Sequence, residues 1–266
     1  MTVKDIMACI TEIAPLQWQE HYDNAGLQVG DPHAEVHKAL ICLDITEEIV
    51  DEAVAKNCDL VISHHPLIFH GLKHITQETY IERAVVKALK HDIAMVSMHT
   101  NLDNSYLGVS RVLAEKLGLK NLHLLQPSST EPEICGAGMI GAFETPLQEQ
   151  DFLKLVAETI GSPCLRHSAL TGREIRRVAL CGGSGTPFMG DALRQKADAY
   201  LTADIKYHDF FVPEGRILLV DGGHFETEQF TKQLIRELIQ KKIPTFAAEI
   251  AATPTNAVHY FCKNNQ

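Results

Sequence analysis

No two cysteines in this sequence stand in a CxxC arrangement, and their total is odd. The seven, at positions 9, 42, 58, 135, 164, 181 and 262, fall largely in apolar runs such as "ALICLDI" and "VALCGG". A thiol there behaves as a small buried hydrophobe, which argues against both a zinc-thiolate site and a disulfide framework. No apolar run exceeds the length of a strand, so none is read as a membrane span. The opening "MTVKDIMACITEIAP" carries an acid early and lacks the basic-then-apolar order of a secretory signal; a cytoplasmic protein is expected. Positive charge is also scarce. A formal net charge of −10 and the lack of a basic cluster argue against a surface built for DNA.

What is present in excess is histidine, 14 residues in 266. The remaining composition, 45% hydrophobic and 22% charged, is that of an ordinary globular chain. The length suits one large or two modest domains.

The first half alternates strand-like and helix-like stretches. Residues 38–44, 58–65 and 93–100 read as strands, and 46–57, 78–92 and 105–119 as helices, with Thr46 as an N-cap. Strands that are apolar throughout, alternating with helices, predict mostly parallel sheets covered on both faces. "LQPSSTEPE" (125–133) is the best linker. A second series follows, with strands at 134–143, 176–185, 199–204 and 216–223, helices at 148–160 and 187–197, and one long helix over 225–242. The expected organisation is two α/β lobes. Residues 1–126 with about 216–266 form the first, and residues 127–215 the second.

In open α/β sheets, ligands gather beyond the carboxyl ends of strands. Strand after strand here ends in residues that bind metals: His64 and His65 after "LVIS", His99 and Asp103 after "AMVSM", Asp204 and His208 after "AYLT", and Asp221, His224 and Glu228 after "ILLV". His224 and Glu228 are four apart at the start of a helix and so share a face, whereas Glu226 points elsewhere. His64 and His65 would sit on opposite faces of a continuing strand, so Pro66 and the end of the strand matter: two slightly diverging imidazoles can serve two ions. Imidazoles with carboxylates and no thiolates suit zinc, iron, manganese or nickel. Two ions roughly 3.5–4 Å apart make the usual hydrolytic pair, with Glu228 as the preferred bridge.

Each signal has a plainer reading. An HxxxE on a helix is commonly a solvated pair, a histidine doublet is often structural, and Asp103 could cap a helix through "LDNS". "CGGSG" (181–185) lacks the lysine of a phosphate loop and reads as a turn. His21, His33, His37, His70, His74, His91, His123, His167 and His259 read as structural or surface residues. The metal reading rests on several signals converging at strand ends.

Taken in order, "HYDNAGLQVG" (21–30), "SHHPLIF" (63–69), "HTNLD" (99–103), "TADIKYHD" (202–209) and "DGGHFETE" (221–228) resemble the Nif-three-like family. Its bacterial members are often labelled GTP cyclohydrolase I type 2 homologues, and the likeness runs through nearly the whole chain in its short form. The resemblance implies two α/β lobes with a dinuclear metal site in the cleft between them, and a ring-shaped homohexamer. It assigns metal ligation to His64, His65, Asp103, His224 and Glu228, and lines the same region with His99, Asp204 and His208. Ala203 and Tyr207 depart from the family pattern, which often has glycine and a second histidine there. The function it implies is a metal-dependent hydrolase holding two divalent ions, with Asp204 or His208 moving the proton and a small molecule or nucleotide such as GTP as substrate. The alternative is a non-enzymatic ring-shaped scaffold, regulatory interactor or metal chaperone.

Overall fold

A computed structural model of the chain describes residues 1–131 and 134–261. In chain order, the helices are α1 (Val3–Ile13), α2 (Glu47–Ala55), α3 (Tyr80–Lys90), α4 (Thr100–Asp103), α5 (Val109–Lys116), α6 (Glu149–Ile160), α7 (Met189–Arg194), α8 (His224–Glu228) and α9 (Thr231–Lys242). The strands are β1 (Gly26–Val29), β2 (Lys38–Cys42), β3 (Leu60–Ser63), β4 (Ala94–Ser97), β5 (Lys120–Pro127), β6 (Gly136–Leu147), β7 (Arg166–His167), β8 (Ile175–Ser184), β9 (Ala199–Ala203), β10 (Leu218–Asp221) and β11 (Ala247–Ile250). The chain is a mixed α/β protein with two sheets, divided into two units.

The first unit comprises Met1–Leu102 and Thr231–Thr255. Its sheet runs β1-β4-β3-β2-β11 and is parallel apart from the antiparallel edge strand β1. One face carries Leu40, Cys42, Val61 and Met95 against Ile49, Val50 and Ala53 of α2 and Ala84, Val85 and Ala88 of α3. The alternate strand residues Ala39, Ile41, Leu60, Ile62, Ala94 and Val96 are equally buried, with α9 packed on β2 and β11 and α1 packed on α9. Burial on both faces is why these strands read as continuous apolar runs. Local chemistry fixes the helix starts. Thr2 and Asp5 form a reciprocal capping box on α1, and Thr46 caps α2 through the amide of Ile49, as its sequence position predicts.

The second unit comprises Asp103–Phe230 and the described residues from Asn256 on. Its sheet runs β5-β6-β8-β9-β10-β7. Here the mostly parallel expectation gives way to a mixed sheet: β8–β9 and β9–β10 are parallel, while β5–β6, β6–β8 and β10–β7 are antiparallel. The strands alternate in what they bury. Val178, Leu180, Ala199, Leu201, Leu218 and Val220 face one core with Phe152, Val156 and Ile160 of α6. Ala179, Cys181, Tyr200 and Leu219 face the other with Met189 and Ala192 of α7. Truncating one of these leucines to alanine costs about 2–5 kcal/mol, a large part of a typical total stability of about 5–15 kcal/mol.

The boundaries differ from the expected 1–126 with 216–266 and 127–215. Leu113, Leu117, Leu119 and Leu124 belong to the core of the second unit, and β10 pairs with β9, so the crossing points are Leu102/Asp103 and Phe230/Thr231. The linker expected at 125–133 begins as the end of β5 and continues to Glu131; Pro132 and Glu133 lie outside the described residues, as does Cys262. The single helix expected over 225–242 is two. The break at Gln229 and Phe230 arises from packing: the Gln229 side-chain amide donates to the Ile160 carbonyl at 2.6 Å, and Phe230 lies against the core of the second unit. Among the described residues, no helix is long and apolar enough to cross a membrane.

Candidate metal centre

In the first unit, parallel pairing aligns Cys42, Ser63 and Ser97, so β2, β3 and β4 end together. His64 and His65 follow Ser63 directly. Their amides still reach across, to the carbonyls of Cys42 (3.2 Å) and Leu43 (2.9 Å), while the Met98 amide donates to the Ser63 carbonyl. The backbone therefore leaves the sheet gradually, and both rings stay at its edge, with centroids 4.8 Å apart and tilted by 47°. His99, from the end of β4, completes the group at 5.3 Å from His64 and 5.4 Å from His65. One ligand atom from each of these three histidines lies within 4.8 Å of the others.

The Nδ1 atom of every ring in this group is engaged. His64 Nδ1 donates to the Met98 carbonyl at 2.8 Å, which in the neutral ring puts the acceptor lone pair on Nε2. His65 Nδ1 meets Asp44 at 2.7 Å, and His99 Nδ1 meets Asp23 at 2.7 Å. Each carboxylate is itself held: Asp44 accepts from Thr255 Oγ1, and Asp23 from the amide and hydroxyl of Thr100. Burial alone would raise the Asp23 carboxyl, but the hydrogen bonds from His99 and Thr100 prevail and hold it at about 2. Asp23 is present at this edge because β1 is antiparallel. Gly26 pairs with Ser97, so the residues before β1 lie where β4 ends.

In the second unit, β8, β9 and β10 end at a common edge. Asp204 leaves β9 with φ +56°, a left-handed backbone, and its Oδ2 holds His224 Nδ1 at 2.7 Å. His224 Nε2 lies 3.1 Å from Glu228 Oε2, the one-turn pairing their spacing predicts. Burial works to lower the His224 ring, but hydrogen bonds to Asp204 and Glu228 outweigh it and push it up to about 11. Ligand oxygens of Asp103 and Glu228 also lie within 4.8 Å of each other. Glu226 points away, accepting from Asn256 and Tyr260. Asp221 is a turn-former: it accepts from the amides of Ile205 and Gly223 and pairs with Arg166.

Of the sequence-predicted residues, the first unit thus brings together His64, His65 and His99, and the second Asp103, Asp204, His224 and Glu228. His208 stands apart, exposed on a short 3-10 turn (Tyr207–Phe211) with its ring against Tyr207 and Phe211. Asp23 and Asp44 carried no sequence signal of a supporting role. Gly183 lies in "CGGSG", which reads as a turn from sequence. It is the next-to-last residue of β8, with φ +59°, and a Cβ added there would meet Glu228 Oε1 at 2.1 Å. The bare backbone at Gly183 makes room for the carboxylate. Arg166 is held within the unit by Asp221 and the Ile205 carbonyl, and Arg173 by the carbonyls of Gly215 and Arg216.

Fold and donor sets together define an α/β protein whose sheet edges carry carboxylate-braced histidines. The sequence pattern of the Duf34/NIF3 (NGG1p interacting factor 3) family matches residues 1–257, and the chain belongs to that family. A relative from Clostridium perfringens, named GTP cyclohydrolase 1 type 2 homolog, is 32% identical over 246 residues, covering 91% of this chain and 93% of that protein. The crystal structure of Staphylococcus aureus protein SA1388 is 27% identical, with a TM-score of 0.90 over 98% of this chain and 99% of that one. A Bacillus cereus protein related to NIF3 shares the fold, with a TM-score of 0.92 at 22% identity over 98% and 99% of the two chains.

Proposed function

We propose that this protein binds two divalent metal ions through His64, His65, Asp103, His224 and Glu228, and that it is a metal-dependent hydrolase. The observation that carries the proposal is the bracing of the rings: His64, His65 and His224, and His99 beside them, each have Nδ1 engaged by a carbonyl or a carboxylate. That arrangement is how proteins fix the tautomer and aim of a ligating imidazole. The donor set fits zinc, iron, manganese or nickel, since it offers imidazole nitrogens and carboxylate oxygens without thiolates.

When bound, such ions supply Lewis acidity, lowering the pKa of a water toward neutrality and polarising the bond it attacks. The protein's own part is to aim and to hold. Asp44, Asp204 and the Met98 carbonyl orient the rings, and Gly183 gives the Glu228 carboxylate its space. Glu228, near both Asp103 and His224, has the position and the two oxygens of a bridging ligand. Asp204 acts through His224 as a positioning residue. The name of the Clostridium relative makes GTP the first substrate to try, with ring opening as the reaction. The assembly proposed is the ring-shaped homohexamer, which sedimentation velocity tests.

The test is turnover by metal-reconstituted protein on GTP, phosphodiesters and dipeptides, with Glu228→Ala alongside. Hydrolysis that needs added metal and disappears in the variant supports the reading. Turnover that survives in a variant shown to have lost its metal sinks it. The family description names an interaction with NGG1p, which favours one second reading, a metal-holding scaffold for other proteins; stoichiometric metal without turnover on any substrate selects it.

A further inference from the structure

We infer that Tyr22 and Phe69 form an aromatic rest beside His99 that receives the planar ring of a heteroaromatic substrate, an inference that rests on the metal-dependent reading above and deepens it. Both side chains are large aromatics that keep part of their surface exposed, Tyr22 at 55% and Phe69 at 36%. Their centroids are 6.3 Å apart with the planes inclined by 51°. Phe69 in turn stands 6.1 Å from His99 at 80°, and His99 is in contact with His64 and His65. The rings thus run without a gap from the exposed rest to the histidine group.

The backbone beneath both aromatics is pinned. Asp23, next to Tyr22, has one oxygen on His99 Nδ1 and the other on Thr100. Ile68, next to Phe69, gives its amide to Gln28 Oε1 at 2.8 Å and accepts from Asn24 Nδ2 at 2.6 Å. Gln28 Nε2 closes the loop onto the Asn24 carbonyl at 2.6 Å. Clips of this kind hold the two segments to each other and to His99, so the rings keep their place rather than turning inward.

His21 and His70 flank the two rings at 5.3 and 4.9 Å, and the area that stays exposed forgoes the burial that large rings usually obtain. Something flat that covers that area recovers it. Two rings offer far less than the roughly 800 Å² a stable protein interface buries on each side, and they match one small planar ring. Stacking is tolerant of ring identity, since every heterocycle of this kind has a π-face. The rest therefore selects a class, planar heteroaromatic rings, and places the ring beside the histidine group.

The experiment uses the full chain loaded with zinc and measures binding of GTP, ATP and pterin-6-carboxylate by calorimetry. Inorganic tripolyphosphate is the ring-free control, and the variants are Tyr22→Ala, Phe69→Ala and Tyr22→Phe. At least one heteroaromatic probe is expected to bind, to weaken roughly ten-fold in each alanine variant, and to recover in Tyr22→Phe. Tripolyphosphate affinity and metal content are expected to be unchanged throughout. Binding that is equal in wild type and both alanine variants overturns the inference, as does a wild type that binds none of the three probes. Unchanged probe binding with a shift in sedimentation coefficient in the alanine variants also overturns it, by making the rest a contact between copies. Repeating the titrations without metal separates the two readings: a chain that takes up no zinc but loses probe affinity in the alanine variants contradicts the metal proposal and leaves the rest standing.

Discussion

The carboxylate of Asp204 holds His224 Nδ1 at 2.7 Å, and it does so from a left-handed backbone position that aspartate adopts more readily than most residues. The same relation recurs between Asp44 and His65 and between Asp23 and His99. These aspartates bind the rings from behind, so removing them leaves every proposed ligand in place. Asp44→Asn and Asp204→Asn are each expected to weaken metal affinity about 10–100-fold, with thermal stability close to wild type. Competition titration with a chelating dye measures it; affinities equal to wild type contradict the supporting role.

Gly183 gives a second prediction. A methyl group there meets Glu228 Oε1 at 2.1 Å on a backbone with φ +59°, so Gly183→Ala carries both a steric clash and roughly 1 kcal/mol or more of backbone strain. Loss of metal is expected together with a lower urea midpoint. Gly172 has φ +73° but no neighbour within 4 Å of an added Cβ; Gly172→Ala is expected to lose stability alone and to keep its metal. If the two variants behave alike, the crowding argument for Glu228 fails.

Acid stability has a local source in Glu52. Burial pushes its carboxyl up, but Lys56, the Thr253 hydroxyl and the amides of Ala252 and Thr253 pull it down to about 2 from 4.5. A folded-state value below the unfolded one stabilises the chain above about pH 4.5, and that contribution is lost as pH falls from 4.5 toward 2. Urea titrations at neutral pH and at pH 3 are expected to show a smaller acid-induced loss in Glu52→Gln than in wild type. An identical loss would show that Glu52 is not a source of the acid sensitivity.

Much of this was legible in the residues themselves. Polar, metal-binding side chains after apolar runs at 60–63, 94–97 and 218–221 mark where strands stop, and parallel pairing puts those stops at common edges. The spacing of His224 and Glu228 fixes their shared face and turns Glu226 away. What stayed hidden depends on pairing and packing across the sequence. β1 is four residues long and antiparallel, so nothing local indicates that Asp23 returns to the end of β4. The break between α8 and α9 has no glycine or proline to announce it, because Gln229 and Phe230 are drawn into another core. Gly183 looked like a turn residue, since the carboxylate that requires its bare backbone is 45 positions away in sequence.

If the chain holds a pair of metal ions through the named histidines and carboxylates, metal analysis of the purified protein will count them. Wild type, His64→Ala and Glu228→Ala are reconstituted with zinc or manganese, desalted and measured by mass spectrometry of the metals. Wild type is expected to hold about two ions per chain, with Glu228→Ala, the bridging position, losing both and His64→Ala losing at least one. Metal content that is the same in all three proteins contradicts the proposed metal pair.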